Sequence, residues 1–328
     1  MFRRIMKIVH LVLSESFAGI EQHVDEILST LDSHDAFLIC NKSIANFFNQ
    51  KINIKKIKNF SRHSFFGKYK LRKLLKELNP DIVHTHGSKT TSVINSIKKN
   101  YMHVATVHGV KKNKKVYEKC DLIIGVSSKT IEGIKNNSII ISNWWNPKLK
   151  KPLIKKNTYA LAVGRLEKVK GFDLLISSWK NIKTNLVIVG SGKEKENLLD
   201  IVDENNLSKN VEIVDEVDRE CLISYYENAS VLVVSSRDEG GPRVALEALY
   251  LEIPVISTDV GHMSQILPKE LLAEKNNQSS LQDILEKYVD NIHLYNQKAI
   301  FNFVETEFSI EEKMQELNDA YNLLASKS

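Results

Sequence analysis

The sequence predicts an α/β protein made of two doubly wound parallel-sheet domains in tandem, with a cleft between them. Short apolar runs alternate with amphipathic stretches along the chain, the pattern of strands joined by crossover helices. The alternation breaks once, at the basic, twice proline-containing stretch 146–157, and then restarts. The length of 328 residues also exceeds one typical hydrophobic core. The expected domains are 1–150 and 151–305, followed by a terminal helix over 306–328.

In the first half the strand-like runs are Ile8–Leu13, Ala36–Ile39, Asp81–His84, Val104–His108, Leu122–Val126 and Ile139–Ile141. Helical stretches fall near 19–31, 69–78, 88–98 and 127–135. In the second half Tyr159–Val163, Leu186–Val189, Val211–Val214, Val231–Val234 and Val255–Ser257 read as strands. Helices are expected near 171–181, 193–204, 218–228, 242–251 and 279–289. In the tail, Met314, Leu317, Tyr321 and Leu324 stand at helical spacing.

Apolar content of 42% suits a soluble globular chain, and no apolar run approaches the roughly 20 residues that span a bilayer. The apolar run at the start ends by Leu13 and reads as a first strand, not a signal peptide. Cys40, Cys120 and Cys221 are few and far apart, so no disulfide or metal framework follows and a reducing cytoplasm is expected. Charge is unevenly spread. Residues 1–150 hold 26 Lys and Arg against 11 Asp and Glu, whereas 151–328 hold 20 against 29. A basic half suggests an anionic lipid surface, a phosphorylated acceptor or nucleic acid, unless a lysine-rich composition bias explains it. No nucleic-acid recognition motif accompanies it, and no nucleic-acid partner is expected.

The most informative segment is Glu239-Gly240-Gly241-Pro242-Arg243-Val244-Ala245-Leu246-Glu247, which follows the strand Val231–Val234. Pro242 fits the first position of a helix, where a missing N–H costs nothing. The amides of Arg243 and Val244 would then face outward at the positive end of the helix, where phosphate binds well. Two flanking carboxylates, Glu239 and Glu247, add acceptors for sugar hydroxyls. The segment reads equally as a strand–turn–helix connection with surface glutamates. Upstream, Gly164-Arg165 closes a strand and Lys170-Gly171 opens a helix. Glycine allows close backbone approach, and the two cations suit phosphate, or else are solvated charges at a cap. Val189-Gly190-Ser191-Gly192 is a further glycine-rich strand end, too short for a dinucleotide fingerprint.

Together with Ser235-Ser236-Arg237-Asp238-Glu239-Gly240, Pro254-Val255-Ile256 and Asp259-Val260-Gly261, these residues resemble the retaining glycosyltransferases of family 4. The match is specific over about 157–270. It is looser in the first half, at Ala18-Gly19-Ile20-Glu21, His84-Thr85-His86-Gly87, Thr106-Val107-His108-Gly109 and Asn143. The resemblance implies the GT-B fold, with two Rossmann-like domains facing a cleft and the last helix packing back toward the first domain. It implies that Arg165 and Lys170 hold the diphosphate of a nucleotide sugar, with Gly164, Gly241 and the amides of Arg243 and Val244 beside it. Glu247 would accept ribose hydroxyls, and Gly19 would bring the first loop close to the phosphates. Glu239 and His108 are the implied catalytic residues, Glu239 under the donor sugar and His108 in contact with the sugar or its leaving phosphate. No metal and no cofactor beyond the nucleotide-sugar substrate is implied.

Several positions depart from the family pattern: Ala18 for a glycine, Glu252 for the glycine before Ile253-Pro254, His262 within the Gly-Gly-x-x-Glu element, and Asp215 for another glycine. They bear on the donor sugar more than on the reaction.

His84 and His86 share one face of a strand, and with His108 they raise a zinc site or, more simply, satisfied polar groups at a cleft rim. Residues 51–76 carry ten Lys and Arg, with Phe65 and Phe66 among them and a stripe of Leu71, Leu74, Leu75 and Leu78. This is either a segment that docks on an anionic membrane or a surface helix that buries its stripe.

The expected function is transfer of a hexosyl unit from a nucleotide sugar, by family tendency a UDP-sugar, to a glycan or lipid-linked acceptor in surface-polysaccharide or lipopolysaccharide assembly. The expected place is the cytoplasm, peripheral on the inner membrane face. The alternatives are a nucleotide-sugar epimerase of the same fold and a non-catalytic sugar-nucleotide-binding subunit.

Overall fold

The structure, a computed structural model, describes residues 5–97, 100–135, 137–151 and 157–326. Contacts divide the chain into two units, Met1–Ser142 with Ile310–Ser328, and Asn143–Ser309. The stretch after Ser142, which sequence reading leaves in the first domain up to 150, packs in the second unit. Leu149 joins the second core, Trp145 stacks on Tyr250 at 3.8 Å between centroids, and Asn143 Nδ2 donates to the Gly241 carbonyl at 2.8 Å. Residues 152–156 of the expected linker lie outside the described residues.

The first unit holds seven strands: β1 (Lys7–Val12), β2 (Asp35–Asn41), β3 (Asn53–Ile57), β4 (Ile82–His86), β5 (Met102–Val107), β6 (Leu122–Gly125) and β7 (Ser138–Ile140). They form one parallel sheet in the order β3-β2-β1-β4-β5-β6-β7. Ile8, Val9 and Leu11 are all buried, as expected of a strand covered on both faces. The terminal helix Ile310–Ala325 lies against helix Gly19–Thr30 and buries Met314, Leu317, Tyr321 and Leu324. Helix Ser88–Asn95 ends sooner than expected. Helix Ser128–Ile131 stops ahead of Gly133, whose φ of +77° an L side chain would strain.

The basic segment 51–76 is not one amphipathic element. Its start is the edge strand β3, which the sequence reading missed because lysines interrupt the apolar pattern; charged side chains suit a sheet edge. The helix then runs Phe65–Leu78, capped by Ser64, whose Oγ accepts from Gly67 N at 3.1 Å, and it ends at Asn79 in the left-handed region. Leu71, Leu75 and Leu78 enter the core beside Val9 and Val83, so the stripe belongs to the fold. Phe65 and Phe66 remain 77% and 78% exposed.

The second unit holds β8 (Tyr159–Val163), β9 (Leu186–Val189), β10 (Val211–Val214), β11 (Ala229–Val234), β12 (Val255–Thr258) and β13 (Leu272–Ala273). The sheet is parallel, in the order β10-β9-β8-β11-β12-β13. Helices include Phe172–Ser177, Lys195–Glu204, Arg219–Asn228, Arg243–Tyr250, Gln278–Tyr288 and Lys298–Glu307. The last was not foreseen from the sequence; it sets Ile300, Phe301 and Val304 against the core and leaves Phe303 43% exposed. In both sheets the strand order reverses beside the first strand, at β1/β4 and at β8/β11. Ligands of doubly wound sheets bind at such switch points, outside the carboxyl ends of the strands. Among the described residues, no helix is long and apolar enough to cross a membrane.

Candidate active site

In the second unit the loops after β8 and β11 meet at the switch point. Lys170, at the end of the β8 loop, places Nζ against the Glu239 carboxylate from the β11 loop. Both side chains are less than one fifth exposed. Ser236 Oγ also donates to Glu239 Oε1, at 2.9 Å. Two glycines let these loops touch. A Cβ on Gly164 would lie 3.2 Å from Lys170 Cε. Gly171, at φ +67°, would drive a Cβ to 2.1 Å from the Ser235 carbonyl. Arg237 clamps the same corner with two bonds to Asp173, 2.6 and 2.7 Å. Burial alone would raise the Asp173 pKa, but the guanidinium outweighs it and holds the carboxyl low.

The Gly240-Gly241 turn leads into helix Arg243–Tyr250, with Pro242 as its N-cap in extended conformation, one position earlier than expected. Arg243 and Val244 are therefore the first two helical residues, where N–H groups have no partner within the helix. His262, fully buried, fills the space under the turn: a Cβ on Gly241 would sit 2.7 Å from its Nδ1. Glu247, one helical turn on from Arg243, is buried, its oxygens taking Tyr226 Oη at 3.1 Å and Arg219 at 3.5 Å. Burial and the neighbouring Glu247 push the Tyr226 hydroxyl well above its usual range, so it stays a donor. A carboxylate has about four acceptor sites, so lone pairs remain for a ligand. Arg165 is not drawn into the Lys170–Glu239 corner; it is exposed and bonds Glu167 at 2.9 Å.

Gly19 and His108 belong to the first unit. Gly19 opens helix Gly19–Thr30 in the open, with nothing within 4 Å of where a Cβ would stand. Glu21 takes Ser14 Oγ at 2.6 Å and the Ala18 amide at 2.9 Å, fixing this loop. His108 is half-buried and lines a cavity of about 440 Å³ with Ser14, Glu21, His86, Lys89 and Lys111. Burial, helped by Lys111, lowers its pKa to about 3.

Behind His108 lies a group that sequence reading saw only in part. His10 on β1 stands in register with His84 on β4. His10, His84 and His86 are buried, not placed at a rim. Burial lowers His10 to about 3 and, with the neighbouring rings, takes His84 and His86 well below the ordinary value. Two triads, His10/His84/His86 and His23/His86/His108, have nitrogens within 4.8 Å of one another, close enough to share an ion. Here the rings bond one another: His10 Nδ1 to His86 Nε2 at 3.0 Å and His86 Nδ1 to His108 Nε2 at 3.1 Å.

Sequence reading also passed over Arg219, Tyr226 and Asp173, and quoted Arg237 in a motif without giving it a role. Each acts through a partner distant in sequence, which no local pattern signals.

Residues 146–299 match the family described as Glycosyl transferases group 1, and residues 17–139 match Glycosyltransferase Family 4. An uncharacterized glycosyltransferase of Methanocaldococcus jannaschii is 30% identical over 305 residues, 84% of this chain and 86% of that one. The capsular polysaccharide biosynthesis glycosyltransferase CapM of Staphylococcus aureus is 32% identical over 179 residues, 51% of this chain and 46% of CapM. Among solved structures, HepE of Anabaena, in complex with UDP and glucose, superposes with a TM-score of 0.82 at 16% identity, covering 97% of this chain and 100% of its own. Two parallel-sheet α/β domains and a family match on each of them lead to one conclusion: the chain belongs to the group 1 glycosyltransferases of family 4, with the GT-B fold.

Proposed function

We propose that this glycosyltransferase is metal-independent and retaining. It takes a hexosyl unit from a nucleotide sugar, with UDP-sugars the leading donors, and delivers it to a hydroxyl of a glycan or lipid-linked acceptor. The observation that carries the reading is the Lys170–Glu239 pair at the switch point of the second sheet, beside backbone that only glycine accommodates. A cation and a carboxylate held together suit a ligand with phosphate at one end and hydroxyls at the other. Breaking the sugar–phosphate bond builds negative charge on the departing diphosphate. Lys170, with Arg165 and the amides of Arg243 and Val244, would stabilise that charge, and groups fixed in advance do so without reorganising. Gly164 and Gly241 admit the phosphates, Glu239 accepts sugar hydroxyls and Glu247 accepts those of the ribose. Gly19 and His108 are assigned to donor binding within the first unit. The new bond forms on the face the phosphate leaves, and the acceptor proton passes to that phosphate, so no separate carboxylate base is assigned.

CapM's name, capsular polysaccharide biosynthesis, supports surface-polysaccharide synthesis as the setting. The exposed Phe65 and Phe66 with Lys68 and Lys70 support docking on anionic lipid. Flotation with anionic but not neutral vesicles is expected at low salt; equal recovery with both removes the membrane from this reading.

The deciding experiment incubates the protein with UDP-, GDP- and ADP-sugars and acceptor glycans, with and without EDTA. Proton NMR of the product would report the anomeric configuration. Transfer with the donor's configuration, unchanged by EDTA, is expected. Inverted product, or activity abolished by the chelator, would sink the mechanism.

A further inference from the structure

Three buried histidines of the first unit, His10, His84 and His86, form one hydrogen-bonded line with the half-buried His108. Thr106 Oγ1 lies 2.7 Å from His84 Nε2, and His84 Nδ1 lies 2.6 Å from the hydroxyl of Tyr321 on the terminal helix. That hydroxyl is 3.4 Å from His10 Nε2, after which the line runs through His86 to His108 Nε2. A neutral imidazole has one N–H and one bare nitrogen, so each ring passes the direction of the line to the next. Burial keeps these rings neutral. Only two arrangements satisfy every member: all four rings protonated on Nδ1, or all four on Nε2. The spacing at Tyr321 chooses between them. The 2.6 Å contact has the length of a hydroxyl donating, whereas 3.4 Å is a long N–H donation into the same oxygen. In the arrangement these lengths favour, Tyr321 gives its proton to His84, His10 gives Nε2–H to Tyr321, and the line ends with Nε2–H of His108 on His86.

We propose that Tyr321 is a positioning residue whose hydroxyl, through His10 and His86, fixes His108 with a bare Nδ1, an acceptor that takes a hydroxyl and rejects a phosphate oxygen. The inference rests on the reading of His108 as a sugar-site residue, and it narrows that role from sugar or leaving phosphate to sugar hydroxyl alone. Phosphate oxygens are acceptors and find no proton on this nitrogen; a sugar hydroxyl donates to it.

Long-range proton–nitrogen NMR of histidine-labelled protein reads the tautomer of each ring in the free protein, without donor or turnover. In the wild type His10, His84, His86 and His108 are all expected on Nε2 across neutral pH. The Tyr321→Phe protein keeps the ring but not the hydroxyl. There His108 is expected as a mixture of tautomers, and kcat to fall about tenfold with KM for donor little changed. Mixed tautomers among the four wild-type rings, uniform protonation on Nδ1, or stoichiometric zinc in the purified protein would each overturn the proposal. These outcomes need no folded variant. Uniform Nε2 protonation with full turnover of Tyr321→Phe would leave the line standing and overturn the role given to His108.

Discussion

The two units share one topology and place their polar residues at the same topological point, yet they hold them in opposite ways. At the β1/β4 switch the first unit stacks neutral imidazoles away from water, joined to one another, to Tyr321 and to Thr106. At the β8/β11 switch the second unit sets charged groups against each other near the surface: Lys170 on Glu239 and Arg237 on Asp173. Neutral rings tolerate burial where charges would not, because removing an ion from water is costly unless it is paired. The difference teaches that a single scaffold supports a dry, uncharged polar interior and a wet ionic corner, and that the two should answer to different perturbations.

Acid should separate them most. For His10, His84 and His86 the folded pKa lies below the ordinary 6.5, His10 at about 3. Between those values the unfolded chain binds protons that the folded chain does not, so stability falls as pH drops below about 6.5 and is flat above it. Each fully buried ring contributes a slope of about 1.4 kcal/mol per pH unit in that window. Hydrogen exchange from pH 7.5 to 5 should show β1 and β4 losing protection before β8 and β11. Equal losses in both sheets would erase the contrast.

Charge deletion should strike the other corner. Lys170→Ala and Glu239→Ala are each expected to lower transfer about 10²–10³-fold, or about 2.7–4 kcal/mol, with circular dichroism unchanged. Turnover near wild type in both variants would take this pair out of the reaction. Gly171→Ala should cost about 3 kcal/mol in urea unfolding, since it combines a left-handed backbone with a Cβ 2.1 Å from the Ser235 carbonyl. Glu252, standing where the family has glycine, sits at φ +58°. Glu252→Gly should stabilise by about 1 kcal/mol, because the exposed pair it forms with Lys151 at 3.3 Å is worth little. Gly19→Ala should leave the melting temperature unchanged, with nothing near its Cβ, and weaken donor binding in calorimetry. Unaltered affinity would show that no ligand approaches that loop.

Strand ends were the most legible part of the chain, because glycine after an apolar run is a local signal; Gly164, Gly190 and Glu239 all follow strands in the structure. Pairings were not legible. Lys170 and Glu239 are 69 residues apart and His84 and Tyr321 are 237 apart, and periodicity says which face a residue takes, not what it meets. His84 and His86 were correctly set on one face, their rings 4.4 Å apart, but their depth depends on His10 and the terminal helix, which sequence does not tie to them. The edge strand β3 was hidden by its lysines, and β13 by its length of two residues.

The return of helix Ile310–Ala325 to the first unit has a consequence for biosynthesis. A nascent chain emerging from the ribosome exposes the opening sheet long before the segment that roofs it, with all of 143–309 still to be made. Until Tyr321 arrives, the imidazoles beneath it stay in contact with water and free to protonate. The amino-terminal lobe can therefore complete its packing only once all of 143–309 has been synthesised, although its own sheet is translated first.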